Sequence, residues 1–411
     1  MHRVLFIGLV WPEPSSSAAG WRILQLLEIF SASGYAVTFA SAAVKTTHSY
    51  PLEKDKVCTR QILLNDASFD EFVSELKPAI VVFDRFVSEE QYGWRIREQC
   101  PNALCILDTE DLHFLRLARQ FAFKKQTAVD YHTELAKREI ASIIRCDLSL
   151  IISRHELDIL TKEFHVSSEI LYYLPFLEEI IDKQIRTEWT KYEDRKHIMF
   201  IGNFLHEPNW SAVQILKNKV WPKLKGFLPE VELHIFGAYA SQKVFQLHQP
   251  RDRFYIMDRA EDARKTMSNY RLLLAPIPFG AGMKGKFIDA MQSGTPSVTS
   301  SIGAEGMSID KIWNGIVTDD LDELVDGTLA LYNSKKRWQN AQSAGVMLLN
   351  ENYGKDLFIK SFLTKIVCIL GDLYAHRKTN FMGQILNSQH LNSSKYMSLW
   401  IQEKAKNRQV D

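Results

Sequence analysis

The sequence predicts an α/β protein of two domains, each built around a parallel sheet. Three observations carry this expectation. Short, continuous apolar runs (residues 4–10, 80–83, 104–107 and 272–275) alternate with segments of helical period, the pattern of strands buried on both faces between covering helices. The alternation breaks once, across 179–197, where the chain is highly charged and without a strong period. The length of 411 residues suits two domains, each with its own core.

The first strand is VLFIGLV, residues 4–10, and it is followed by a loop of small and turn-forming residues that ends at Gly20. Ile23, Leu26, Leu27 and Phe30 then recur at helical spacing until Gly34, and residues 37–40 give the next strand. This β–loop–α–β opening is Rossmann-like, although the loop lacks a G-x-G-x-x-G fingerprint and is assigned no nucleotide. Helices are expected over 69–76 and 92–99, and strands over 80–83 and 104–107. The last of these runs into Asp108-Thr109-Glu110-Asp111-Leu112-His113, with Arg116 beyond. Open α/β sheets place their sites past the carboxyl ends of parallel strands, so this loop is a candidate. Its carboxylates and histidine form a single short cluster with no second cluster to complete a metal shell, so no metal is expected.

Residues 114–144 read as one long helix, with Arg116, Arg119, Lys124 and Lys125 interleaved with Phe114, Phe121 and Phe123. A basic, aromatic helix fits a membrane surface or a lipid-linked acceptor. The mixed charges of Glu134, Lys137 and Glu139 fit a solvated face instead. Residues 148–152 form a strand, Ser153 and Glu156 have the spacing of a capping box, and 170–174 form the last strand of the first domain. Beyond the linker, residues 198–201 restart a strand that turns at Gly202-Asn203-Phe204, and Pro208 opens a helix to about Lys225. Strands follow at 232–236 and 254–257, then a helix at 261–270.

Chemistry concentrates in 272–307. A strand (272–275) ends at Pro276 and Pro278, and Gly280, Gly282 and Gly285 surround Lys284 and Lys286. An amphipathic helix follows with Phe287, Ile288 and Met291 on its apolar face, Gly294 closes it, and residues 296–299 form the next strand. A glycine loop opening a helix brings anionic oxygens to free N–H groups where the helix dipole favours negative charge. Two lysines in that first turn favour a diphosphate. Packing glycines and solvated lysines would leave the same pattern. Asp289 shares a helix face with Lys286, and a carboxylate there suits a pair of sugar hydroxyls.

The stretch resembles the donor-binding segment of family-4-like retaining glycosyltransferases of the GT-B fold. The residues that carry the resemblance are Pro276, Gly280, Gly282, Lys284, Lys286, Asp289, Ala290, Met291, Gly294, Pro296, Val298, Thr299, Gly303, Glu305 and Gly306. It implies two Rossmann-like domains facing a central cleft, with a UDP- or GDP-sugar held mainly by the second. It further implies that the diphosphate and nucleotide are bound by Gly202, Asn203, Gly280, Gly282, Lys284, Lys286 and Asp289. Lys286 then stabilises the leaving diphosphate, so that with His113 it is a catalytic candidate. The acceptor side would be Gly20, Arg22, Asp111, His113 and Arg116, with His113 touching the transferred sugar or the acceptor hydroxyl. Residues 258–260 correspond to the place where relatives read the base through backbone groups. Retention and independence of metal and cofactor come from the resemblance alone. Two departures stand out: many members carry two glutamates eight residues apart, where this chain has Ala281 and Asp289.

The resulting expectation is an acceptor-side domain over 1–178, a linker over 179–197 and a nucleotide-sugar-binding domain over 198–352. Helices over 353–378 cross back to the first domain, and 379–411 is a polar, appended tail. Fifty basic against forty-nine acidic residues exclude a global field toward nucleic acid. Five cysteines without a C-x-x-C pair fit a reducing cytosol, and no apolar run approaches the ~18 residues of a spanning helix. A cytoplasmic protein is expected, with peripheral membrane contact left open. Its partners would be the nucleotide sugar and a glycan or lipid-linked acceptor, as in polysaccharide or glycan biosynthesis. The competing reading is a nucleotide-sugar-binding or scaffolding protein that has lost turnover, kept open by Ala281 and the shortened Asp289. A sugar-nucleotide epimerase of the same fold is a weaker enzyme alternative.

Overall fold

The computed structural model describes residues 2–309 and 312–407. Two parallel sheets organise it. The first contains β1 (Arg3–Gly8), β2 (Ala36–Ser41), β3 (Cys58–Gln61), β4 (Ile80–Asp84), β5 (Leu104–Asp108), β6 (Leu148–Ile151) and β7 (Leu171–Tyr173). Its spatial order is β3-β2-β1-β4-β5-β6-β7. The second contains β8 (Lys196–Ile201), β9 (Leu233–Phe236), β10 (Phe254–Asp258), β11 (Tyr270–Ala275), β12 (Ser297–Thr299) and β13 (Gly315–Val317), in the order β10-β9-β8-β11-β12-β13.

The continuous apolar runs follow from burial on both faces. Val4, Phe6, Ile80, Val82, Leu104 and Ile106 join one cluster, while Leu5, Ile7, Val81, Phe83, Cys105 and Leu107 join the cluster on the opposite face. A strand with both faces shut off from water has no polar alternation to show. The edge strand β3 (CTRQ) has no such run, being mostly exposed, and the sequence pattern passes over it.

Strand order reverses at β1/β4 in the first sheet and at β8/β11 in the second. Such reversals open crevices beyond the strand ends, and here the two crevices face one another. After the second sheet the chain returns to the first domain. Phe362, Ile366 and Ile369 of the helix Ile359–Gly371 are fully buried in the cluster that contains Ile23 and Phe30.

Three local expectations are corrected. The long helix over 114–144 is two, His113–Lys125 and Glu134–Arg145, because Gln126 takes a left-handed conformation and Thr133 starts a new cap. The capping box at Ser153 does not form: Ser153 caps nothing, and Glu156 instead accepts the N–H groups of Leu112 and Gly282 at 2.9 and 2.8 Å. The tail at 379–411 is, through Asn407, a helix (Phe381–Asn407) laid along the helices Arg85–Gln99 and Glu134–Arg145. Its inward contacts are polar, with Ser398 bonded to Arg95 and Asn65 and Lys395 paired to Glu98, so apolar periodicity does not reveal it. Among the described residues no helix is long and apolar enough to cross a membrane.

Candidate functional site

The facing crevices make one cleft of about 890 Å³ between the domains, large enough for a nucleotide sugar. Its second-domain wall starts where β11 ends. Gly280, Ala281, Lys284, Gly285, Lys286 and Asp289 line it, and the helix Gly285–Gln292 points its N-terminus at the cavity. Lys286 Nζ donates to Asn209 Oδ1 at 2.7 Å and lies 4.4 Å from the Phe200 ring. Lys284 Nζ donates to the Gly282 carbonyl at 2.9 Å. Burial holds both ammonium groups below their ordinary range, Lys284 to about 8 and Lys286 to about 7, and Lys284 pushes Lys286 further down. Among the described residues no carboxylate is hydrogen-bonded to either lysine, and Glu305 attracts Lys284 only through space, so an anion in the cavity would add the closer counter-charge.

The turn after β8 supplies the neighbouring wall. Gly202 and Asn203 line it, and a Cβ on Gly202 would stand 2.6 Å from the Asn209 side chain. Asn209 Nδ2 donates to the Asn203 carbonyl at 2.8 Å while its oxygen receives Lys286. Asn209 thus locks the turn to the lysine, a role that Pro208-Asn209-Trp210 read as a helix start does not disclose. His206, on the same turn, is held to about 4 chiefly by burial and is neutral at physiological pH.

On the first-domain wall, Asp111, His113 and Arg116 all line the cleft, as does Gly20. His113 begins its helix, and the preceding Leu112 has no capping side chain, so two buried carboxylates substitute. Glu139 accepts the N–H groups of His113 and Phe114 at 3.0 and 2.8 Å, and Glu156 accepts that of Leu112. The imidazole Nε2 lies 3.4 Å from Asp111 Oδ1 and the ring packs edge-on against Phe86. Burial lowers the His113 pKa to about 4, against the pull of Asp111, so it faces the cavity as a neutral hydrogen-bonding group. Arg116 pairs with Asp111 at 2.5 Å.

Contacts across the cleft hold the walls together. Arg119 donates to the Gly280 carbonyl and pairs with Glu305, which also lies 3.2 Å from His155. Tyr239 reaches Glu13, and Arg259 reaches Ser16. Arg264 joins Asp289 to Glu178 at 2.8 and 2.9 Å and stacks on Trp21.

Residues 195–334 match the family model described as glycosyl transferases group 1. The match spans about a third of the chain and lies in the second domain, and the chain as a whole has the GT-B fold. Among solved structures, sucrose-phosphate synthase from Thermosynechococcus elongatus superposes with a TM-score of 0.65 at 14% identity, covering 90% of this chain and 100% of that one. Anabaena Alr3699/HepE, in complex with UDP and glucose, gives 0.65 at 12% identity over 89% and 100% of the two chains. TarM from S. aureus, a variant complexed with fondaparinux, α-GlcNAc-glycerol and UDP, gives 0.55 at 15% identity over 73% of this chain and 58% of that one. No curated protein sequence matches the chain.

Within this GT-B framework two expected site residues lie elsewhere. Arg22 is buried, not exposed to the cleft: its Nε lies 2.9 and 3.0 Å from the Asp108 oxygens and its Nη1 donates to the carbonyls of Leu174 and Pro175. It ties the first helix to the ends of β5 and β7. Gly282 offers no free N–H to a phosphate, since Glu156 takes it, and its φ of +61° with Asp111 Cβ at 2.7 Å from a built Cβ marks a domain contact that needs glycine. Ala281 explains its own departure from the glutamate pattern, being packed into the first domain's apolar cluster. Asp289 does line the cleft, but already paired to Arg264, a partner that its place on the helix does not announce.

Proposed function

We propose that the protein transfers a sugar from a nucleoside-diphosphate sugar to a glycan or lipid-linked acceptor, with retention at the anomeric carbon and without an essential metal or cofactor. One observation carries the reading: Lys284 and Lys286 lie half-buried at a helix N-terminus and line the cavity, with no carboxylate counter-charge hydrogen-bonded to either among the described residues. A diphosphate would supply that charge, and its departure from the sugar would be stabilised by the same groups, prearranged in a poorly hydrated site. Asp289, through Arg264 or directly, would meet the ribose. His113, on the other wall, would contact the reacting sugar or acceptor as a neutral donor. The group 1 family match and the UDP present in the HepE and TarM structures support this assignment. A cytoplasmic location, at most peripheral to a membrane, belongs to the same proposal, because that is where nucleotide sugars are supplied.

The test is a donor screen by native mass spectrometry across UDP- and GDP-hexoses, followed by turnover with acceptor mixtures. Release of nucleoside diphosphate with formation of a new glycoside establishes transfer. A donor bound and returned unchanged, with acceptors supplied, makes the protein a binding module and defeats the proposal.

A further inference from the structure

The loop that precedes the two lysines is seated in the opposite domain. Phe279 packs on Phe123 with ring centroids 5.3 Å apart, the Gly280 carbonyl receives Arg119 at 2.8 Å, and Ala281 is buried in the first domain's apolar cluster. Glu156 completes the seat. It is fully buried in the first turn of the helix Arg154–Lys162. A single atom, its Oε1, accepts both the Gly282 N–H at 2.8 Å and the Leu112 N–H at 2.9 Å. The other oxygen has no partner among the described residues. The two peptides that meet on Oε1 border the groups assigned to the reaction. Leu112 immediately precedes His113, and the Gly282 carbonyl receives Lys284 Nζ at 2.9 Å.

We propose that Glu156 is a positioning residue that sets the sugar-side histidine and the diphosphate-side lysine in register across the cleft. The inference rests on the transferase reading and adds the device that spaces its two halves. Because one buried oxygen accepts N–H groups from both domains, neither loop can shift without carrying the other or leaving a buried N–H unpaired. A misplacement of about 1 Å at a reacting group can cost about a hundredfold in rate. The role asks for an acceptor rather than a charge. Glutamine keeps Oε1, and the atom that it changes has no hydrogen bond to lose. The rest of the seat fits the same purpose. Ala281 enters the apolar cluster as a carboxylate could not, and Gly282, at φ +61°, leaves no room for a side chain against Asp111.

The test uses the full chain and three variants. Glu156→Leu removes the shared acceptor, Glu156→Gln keeps it, and Gly282→Ala unseats the donor loop while leaving the Leu112 bond in place. Amide hydrogen exchange is followed by mass spectrometry in peptides covering 110–116 and 279–284. Calorimetry gives the Kd of UDP or GDP, and kcat is measured on the UDP- or GDP-hexose that the wild type consumes. Glu156→Leu should speed exchange in both segments about tenfold or more, and Gly282→Ala in 279–284 alone. Both should lower kcat about tenfold or more while the nucleotide Kd stays within about threefold, since the lysines remain on their own helix. Glu156→Gln should stay within about threefold of wild type in every measurement. A carboxylate that only supports the first domain would change Tm and not this split between kcat and Kd. Four results overturn the proposal: exchange in 279–284 is unchanged in Glu156→Leu, kcat survives either unseating variant, nucleotide affinity falls as far as kcat, or Glu156→Gln is as damaging as Glu156→Leu. Should Glu156→Leu fail to fold, Gly282→Ala and Glu156→Gln make the same comparison. If the wild type releases no nucleoside diphosphate from any UDP- or GDP-hexose, the transferase reading falls, and the exchange of the two segments still decides whether Glu156 couples them.

Discussion

The two walls of the cleft carry charge in opposite ways. On the first-domain wall, most acids are already engaged. Glu139 and Glu156 hold backbone N–H groups, Asp108 holds Arg22, and Asp111 holds Arg116. On the second-domain wall, the two lysines are half-buried, and among the described residues their Nζ atoms have only an amide oxygen and a carbonyl as hydrogen-bond partners. Burial without compensation is unfavourable, so a fold that retains it does so for a ligand. The first wall therefore looks like prearranged scaffolding for a few exposed groups, and the second like an unfilled anion site. Breaking the wall that is already paired should damage the fold, whereas altering the unfilled one should damage binding.

Arg22 tests the first half most severely. Arg22→Met would leave Asp108, with no exposed surface, without its hydrogen-bonded guanidinium and with only the more distant charge of Arg85. Removing one partner of a buried pair costs about 3–5 kcal/mol. We expect urea denaturation followed by circular dichroism to show that loss, with Arg22→Met combined with Asp108→Leu regaining much of it. Full stability in Arg22→Met together with lost transfer would return Arg22 to the acceptor side.

His113→Ala probes a group that the scaffold presents rather than consumes. Only its backbone N–H is used by Glu139, and alanine keeps that bond. Sugar transfer should fall about a hundredfold if the imidazole makes a hydrogen bond in the transition state, with nucleoside-diphosphate affinity unchanged. Equal loss of nucleotide binding would move it to the donor wall. Because the neutral ring has a pKa of about 4, kcat should show no loss from this group between pH 6 and 8.

For the unfilled wall, Lys286→Ala should reduce donor affinity roughly ten- to a hundredfold, the range of a charge-assisted contact worth about 1.5–3 kcal/mol. Calorimetry with UDP-glucose and GDP-mannose, using the one that binds, measures it, and an unchanged Kd removes the diphosphate assignment. The same wall predicts a pH dependence. The ammonium form is the one that binds an anion, so affinity is highest below about 7, where Lys286 and Lys284 are both protonated in the empty cleft. A bound diphosphate raises both pKa values, so binding takes up protons and weakens as pH rises through 7 and 8, by up to about tenfold per pH unit for each lysine. Titrations between pH 6 and 9 in buffers of different ionisation enthalpy should show that uptake, and Lys286→Ala should reduce it.

The sequence exposes the same asymmetry in what can be read from it. Elements set by local periodicity are legible: the apolar strands, the helices between them, and the glycine loop with Lys284 and Lys286. Most of the misses have a partner distant in sequence. Glu156 has the spacing of a cap but bonds to residues 112 and 282, and Arg22 follows the loop but finds Asp108. The Phe381–Asn407 helix attaches through Ser398 and Lys395, which no hydropathy pattern marks. β3 is an exposed edge, where strands need no apolar run. Residue types disclose which groups can act, and only the packing of the two domains discloses which are already engaged.

Asp289 lies between these classes, and the smallest expected effect belongs to it. The helix face it shares with Lys286 points to the cleft, yet Arg264 holds its Oδ1 at 2.8 Å and also holds Glu178 across the domain boundary. The two carboxylates therefore share one guanidinium, and burial raises the pKa of each, partly offset by that arginine. If the free oxygen of Asp289 accepts a ribose hydroxyl, Asp289→Asn keeps an acceptor and loses only charge, so nucleotide affinity should fall a few-fold, on the scale of about 1 kcal/mol. Asp289→Ala loses the acceptor as well and should weaken binding further, while Arg264 keeps Glu178 as its partner and the apo protein its stability. A 2′,3′-dideoxy nucleotide should bind wild type and Asp289→Ala alike, because the hydroxyls that the carboxylate would meet are gone. If instead Asp289→Ala lowers the apparent Tm of the empty protein and weakens the dideoxy nucleotide as much as the normal one, Asp289 is part of the interdomain brace with Arg264 and Glu178, and the ribose must be read by another group.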